Sequence, residues 1–425
     1  MSISMILGII VIIGTIYCLA KRYESRLVLF SAGVILSCIA LNPMAALVGF
    51  SKAMSNAKVI EPIVASMGFA YVMKYTKCDR HLVHFLAKYL HSFGYLIIPG
   101  AVLITAFINI SITSSSGCSA AVGAILIPLL MRMGVHPAMA ASAVFLGTFG
   151  SPLVNPGYHQ VVIASEVSKH TPMEFVTYSA LPVLVVSIVV AVILCIIAVM
   201  KKEHKGYIAD ADDTKADFKV DLLKAIVPIV PIALLLLAKT GYLPGMAKLE
   251  ISHAMIIGAI VAFIVTRKES TPKDICKDFF AGMGEGFGHV YGIVTCSLIF
   301  VAGMNAIGLV KALITAMSAH HAIAKIAGTA GPFILATICG SGDAAAISFN
   351  TAVTVHAASF GLDPLHLGAA VAAAGGLGRT MSPIAGACII CSGYANVNPI
   401  ELAKRNAIPT IVGAVIFVFM SLYMM

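Results

Sequence analysis

The chain has 425 residues, 59% of them hydrophobic and 11% charged, with a mean hydropathy of +0.97. Soluble domains carry about 25% charged residues, so this composition excludes a soluble globular fold and predicts an all-α polytopic membrane protein. A net charge of +9 does not call for a nucleic-acid partner, because Lys and Arg at the ends of membrane helices act as topology signals.

Residues 1–20 are apolar, and Lys21-Arg22 follows the run instead of preceding it. That order predicts a retained first span and not a signal peptide. Further spans are predicted at 27–48, 58–74, 137–165 and 176–200, with an amphipathic segment at about 79–91. The stretch 92–134 is a Gly/Ser-interrupted apolar pair broken at ITSSSGCS. Two half-length helices meeting at Ser and Gly predict a re-entrant hairpin, since irregular backbone at membrane depth must be surrounded by protein or a water-filled cavity. Residues 201–224 are charged without apolar periodicity and read as a solvated linker.

The second half, 225–425, repeats the first. Pro137 and Pro364 are 227 apart, and the same spacing links Gly134 to Gly361, Pro156 to Pro383, Pro172 to Pro399, Glu174 to Glu401 and Pro182 to Pro409. Prolines and glycines fix backbone shape, so the spacing predicts one backbone path used twice. The matching elements are a hairpin at about 327–360 and a broken helix at about 363–392. Five crossings plus one re-entrant hairpin in residues 1–200 and again in 225–425 make two inverted repeats. Lys21, Arg22, Arg26, Lys74, Lys77, Arg80, Lys88, Arg132, Lys201, Lys202 and Arg405 then share one face. The positive-inside rule makes that face, with the 201–224 linker, cytoplasmic and both termini external. Inverted repeats with interrupted helices point to a secondary transporter of the cytoplasmic membrane.

Four breaks carry the candidate chemistry: SITSSSGCSA (111–120), GTFGSPLVNPG (147–157), CGSGDAAAISFN (339–350) and GRTMSPIAG (378–386). Broken helices expose backbone N–H groups that attract anions, and short hydroxyls add donors; the bland alternative is close helix packing in lipid. The candidate substrate contacts are Ser114, Ser115, Ser116, Gly117, Asn155, Pro156, Gly340, Ser341, Gly342, Arg379, Thr380, Ser382 and Pro383. Arg379 is the only Asp, Glu, Lys or Arg between Asp363 and Glu401. A mid-membrane arginine costs about 2.5–3.5 kcal/mol on insertion scales, and its planar fork suits a carboxylate. Asp343 is a candidate for binding a coupling cation or proton, for capping its helix, or for pairing with Arg379. His159 and Glu61 both lie within apolar spans; either could carry a proton, and a hydrogen-bonded structural role is the expectation for each. Thr171-Pro172-Met173-Glu174 and Asn398-Pro399-Ile400-Glu401 read as helix starts with capping boxes. The ten cysteines lie mostly in apolar spans and suggest no disulfide framework, and CIIC (388–391) has no second pair at zinc spacing.

At SSSGCSAAVGAILIP, GSGDAAA and LGRTMSPIAG the chain resembles the C4-dicarboxylate anaerobic carriers of the DcuC type, within the ion-transporter superfamily. The resemblance covers nearly the whole chain. It implies carriage of fumarate, succinate, malate or aspartate by exchange or cation-coupled movement, without a cofactor beyond a coupling Na+ or H+. The superfamily implies homodimers in the lipid bilayer, with a transport domain that slides as an elevator against a scaffold. The second tip reads GSGD, and the superfamily's Ser-Asn-Thr tip signature is absent, which leaves the coupling ion open. Two other classes compete: a cation/proton antiporter centred on Asp343, and an intramembrane hydrolase using Ser341. Duplication of the breaks argues against a single nucleophile.

Overall fold

A computed structural model describes residues 3–21, 23–90, 96–208, 219–240, 249–312 and 321–424. Arg22, the first residues of the 92–134 hairpin and residues 209–218 of the linker lie outside the described residues. Every regular element described is helical. The first half comprises α1 (Ile3–Ala20), α2 (Ser25–Ile39), α3 (Met44–Met54), α4 (Ala57–Thr76), α5 (Cys78–Leu90), α6 (Ile97–Ser111), α7 (Ser115–Arg132), α8 (Pro137–Gly147), α9 (His159–Ser168) and α10 (Pro172–Met200). The second comprises α11 (Leu222–Ile226), α12 (Val230–Thr240), α13 (Ile251–Thr266), α14 (Pro272–Glu285), α15 (Gly292–Ala306), α16 (His321–Cys339), α17 (Gly342–Ala352), α18 (Pro364–Thr380), α19 (Gly386–Ala395) and α20 (Pro399–Phe419).

Among the described residues, five helical stretches are long and apolar enough to cross a membrane, the longest of them uninterrupted being α10. The expected single span 27–48 is two helices instead. Leu41, at φ 57°, and Pro43 break the path between α2 and α3, because Pro43 supplies no N–H to continue the ladder. The starts of α7 and α17, α8 and α18, α9 and α19, and α10 and α20 are each 227 residues apart.

The helices sort into two packed groups. In one, α2 and α3 lie against α15, and α4 lies against α13 and α14. Gly33 and Gly303 make the α2–α15 contact possible, since a Cβ at Gly33 would sit 2.6 Å from the Ile299 carbonyl oxygen. In the other group α6 to α8 pack with α10, α19 and α20 around Ile98, Leu126, Phe145, Val186 and Phe417. The α18 helix, PLHLGAAVAAAGGLGRT, is buried along almost its full length. Its small residues let neighbouring backbones touch it. A Cβ on Gly376 would overlap the Phe149 carbonyl oxygen, and one on Gly378 would overlap that of Phe333.

Ion pairs tie the linker ends to both groups. Glu203 receives Arg405 of α20 at 2.5 and 2.8 Å, and its carbonyl accepts from the His136 amide. Lys224 meets Glu269 at 2.6 Å, and the lysine holds the Glu269 carboxyl below its usual range. The Thr171 capping box forms as expected. At the second start Asn398 caps the Ile400 amide, while Glu401 turns to Arg405 and Lys404.

Candidate functional site

The four breaks meet. Each hairpin tip packs against the broken helix of its own half and also reaches that of the opposite half. In the first tip, Ser114 caps α7 by accepting from the Gly117 amide at 3.2 Å. Its neighbour Ser116 faces the start of α19, where a Cβ added to Gly386 would lie 2.9 Å from Ser116 Oγ. In the second tip, Gly340 turns the chain at φ +73° and abuts Ile384 and Ala385. A side chain at this left-handed position would be strained. Ser341 caps α17 by accepting from the Ala344 amide at 3.1 Å, and Gly342 lies against Gly375 and Arg379 Nε.

Asp343 is turned toward α9. Gln160 Nε2 donates to its Oδ1 at 2.6 Å, Tyr158 OH donates at 3.3 Å, and His159 Nε2 lies 2.9 Å from the same oxygen. The capping alternative is therefore set aside, because Ser341 fills that role. The alternative of an ion pair with Arg379 is also set aside: Arg379 is within electrostatic reach of Asp343 but makes no ion pair with it. His159 thus has Asp343 as its neighbour, and Glu61 accepts from Ser252 Oγ at 2.5 Å.

Arg379 occupies the last turn of α18, where the C-terminal end of the helix dipole favours a cation. Its Nη2 donates to the Thr148 carbonyl and its Nη1 to Thr148 Oγ1 at 3.4 Å. These contacts use part of the five-donor fork; the residue is half-buried, and among the described residues no carboxylate pairs with it. The predicted contacts that follow it turn inward. Thr380 is fully buried and donates to the Leu377 carbonyl at 2.7 Å. Ser382 is fully buried with no protein partner for its hydroxyl. Asn155 ties its break to the first hairpin arm, donating to the Ile110 carbonyl of α6 at 2.7 Å while accepting from the Gly157 amide at 2.9 Å. Pro156 and Pro383 sit within the two connectors. Ser114, Gly117 and Gly386 are exposed, with Ser115, Ser116 and Arg379 half-buried beside them.

Sequence reasoning missed Thr148, Tyr158 and Gln160. The GTFG stretch marked a break around Thr148, but nothing in it pointed to a guanidinium. It also missed a cavity of about 650 Å³ between the two helix groups, lined by Lys58, Glu61, Val162, Ser165, Glu166, His170, Glu250 and Ser252 among others.

Comparison with known proteins places the chain. Residues 43–425 match the family model described as the C4-dicarboxylate anaerobic carrier. An uncharacterized transporter of Haemophilus influenzae is 38% identical over 276 residues, covering 62% of this chain and 98% of its own. The anaerobic C4-dicarboxylate transporter DcuC of Escherichia coli strain K12 is 24% identical over 444 residues, covering 98% of this chain and 95% of its own. Among solved structures, MtrF of Neisseria gonorrhoeae matches with a TM-score of 0.65 at 14% identity over 88% of this chain and 83% of that one. The YdaH transporter of Alcanivorax borkumensis matches with a TM-score of 0.61 at 14% identity over 88% and 86%. These relatives are transporters and not enzymes, and the apolar helices fit a multi-pass protein of the inner membrane. The chain belongs to the C4-dicarboxylate anaerobic carrier family.

Proposed function

We propose that the protein is a secondary active carrier of C4-dicarboxylates such as fumarate, succinate, malate and aspartate, working by exchange or by cation coupling. The observation that carries this reading is the half-buried guanidinium of Arg379 without an acidic partner, set where four helix breaks converge. A dianion leaves water only where the protein replaces its hydration. Arg379 holds one carboxylate in this reading. The other meets the N-termini of α7 and α19, with the Ser114–Gly117 tip and Gly386. Gly340, Ser341 and Gly342 close the site from the second tip, while Thr380, Ser382, Asn155, Pro156 and Pro383 shape the connectors behind it. Uptake of labelled succinate into proteoliposomes, with and without imposed ion gradients and with succinate or sodium chloride inside, tests the reading. Saturable uptake that unlabelled fumarate competes away is the expected result; its absence under every gradient would overturn it. The cation/proton antiporter is the second reading, favoured by the Asp343–His159 contact, and it predicts ion flux without dicarboxylate.

The same reading takes the two halves as inverted repeats. The recurring helix starts support it, as do the contacts that each tip makes with the other half. The α2–α4 and α13–α15 group would be the scaffold of a homodimer, and the group around α18 the sliding element. The linker 201–224 would be cytoplasmic and both termini external. Single cysteines placed in the linker of a cysteine-free variant should resist impermeant thiol reagents in intact cells; ready labelling there from outside would refute the orientation.

A further inference from the structure

We propose that Asp343 and His159 together form a proton-binding site, through which movement of the substrate is coupled to proton uptake and release. This rests on the transport reading above.

The pair stands at a matched place. Ser116 and Gly386 lie 227 residues from Asp343 and His159 respectively, and the two pairs make the corresponding contacts, tip against broken helix. The surroundings match, yet one pair is titratable and the other is neutral. Local structure does not require that difference. Ser114 and Ser341 cap the two tips alike, so the start of α17 has no need of the Asp343 carboxylate. Its oxygen instead gathers three side chains from α9 and the residue before it.

A carboxylate at membrane depth must be compensated by a proton or by a cation. At Asp343 both are to hand: a proton on the imidazole gives an ion pair, and a proton on the carboxyl gives a neutral one. A dicarboxylate arriving at Arg379 brings negative charge to the same region, and nearby negative charge favours the protonated forms. By linkage, the bound proton then favours the dicarboxylate equally.

The helix face that carries His159 also runs toward a cavity. Val162, Ser165 and Glu166 present one face of α9 to the 650 Å³ cavity. Residues three and four apart share a helix face, which puts Tyr158 and His159 one turn further along it. Ser165 lines that cavity and is itself 1% exposed, and its hydroxyl has no partner among the described residues. Lys58, Glu61, Glu250 and His170 surround the opening, and acids there draw hydronium and other cations. The other titratable groups on elements packed against α9 lie elsewhere. Lys169 ends α9 itself. On α10, Glu174 is in the capping box and Tyr178 bonds Ser421. His366 stacks on Tyr178, roughly 20 Å along α18 from Arg379. His356 lies in the turn after α17, and Tyr71, Lys74 and Tyr75 at the far end of α4. The titratable groups that face His159 are therefore Asp343 and Tyr158, and Arg379 lies within electrostatic reach of both of these.

The test compares wild type, His159→Gln and Asp343→Asn in proteoliposomes. Two rates are read: succinate accumulation driven by an imposed proton gradient, and succinate/succinate exchange at equal pH. An internal pH dye follows proton entry in parallel. A charged partner within about 4–6 Å shifts a proton affinity by 1–3 units, so losing either member changes occupancy by about tenfold or more. Both variants should therefore lose at least about tenfold in the ratio of gradient-driven accumulation to exchange, and succinate-dependent proton entry with it. A merely structural contact would lower both rates together and leave the ratio, which would overturn the proposal. Wild-type uptake that responds to sodium but not to a proton gradient would overturn it as well. Should wild type carry no dicarboxylate at all, the transport reading falls and the coupling falls with it. His159→Asn, also short and neutral, must behave as His159→Gln does, which separates proton loss from a packing effect.

Discussion

Arg379→Ala protein, correctly inserted, should bind succinate roughly ten- to a hundredfold more weakly, because each charge-assisted hydrogen bond contributes about 1.5–3 kcal/mol. The loss has two sources. The substrate loses its guanidinium, and the Thr148 carbonyl loses its Nη2 donor. Arg379→Lys separates them from a simple charge effect. An ammonium keeps the charge but cannot bridge Thr148 and a carboxylate in one plane, so it should recover only part of the binding and rate. Equilibrium binding of labelled succinate to purified protein, with initial uptake rates beside it, measures both. The reading is falsified if Arg379→Ala matches wild type in affinity and rate; the guanidinium would then serve to fix the α8 and α18 breaks together, and the tips alone would hold the anion.

Gly376→Ala should be among the most damaging small substitutions in the chain. Its new methyl would overlap the Phe149 carbonyl oxygen, and a main-chain atom between two packed helices cannot rotate away as a side chain does. Overpacking typically costs about 1–3 kcal/mol and sometimes more. A thermal melt of the detergent-solubilised protein should show a clear drop in Tm, and transport should fall because the connector beside Thr148 is displaced. Gly393→Ala supplies the contrast. No atom lies within 4 Å of a Cβ there, and Ala is the better helix former by about 0.8–1.0 kcal/mol, so that variant should melt at or above the wild-type temperature. Equal melting of the two would mean that α18 and the first connector are not packed as described.

Much of this was legible in the residues. Pro137, Pro172, Pro364 and Pro399 start helices because a proline lacks only an N–H that the first turn leaves unpaired anyway. The four breaks were visible as Gly, Ser and Pro inside apolar runs. Which side chains would meet was not visible, since partners such as Asp343 and His159 are 184 residues apart and only tertiary packing joins them. Thr148 looked like one hydroxyl among many, and its carbonyl is the atom that matters. Thr380 and Ser382 looked like ligands because they adjoin Arg379, yet a helix end turns successive residues to different sides and buries both. The break after α2 carried a signal in Asn42-Pro43 that a single span over 27–48 passes over; that Leu41 takes the left-handed turn was not visible.

The contacts between the two halves, Asp343 on His159 and Ser116 on Gly386, also bear on how the chain is made. His159 leaves the ribosome 184 residues before Asp343, which at about 5–20 residues per second is an interval on the order of 10–40 s. During that interval the Tyr158–Gln160 segment, and the Ser116 tip that waits for Gly386, have no second-half partner. Polar groups without partners cannot be left in hydrocarbon at small cost, so the first half must wait in a looser, wetter or chaperoned arrangement. Closing of the site is thus a late event of biogenesis, and a chain stopped after α10 would be handed to quality control with its polar surface still open.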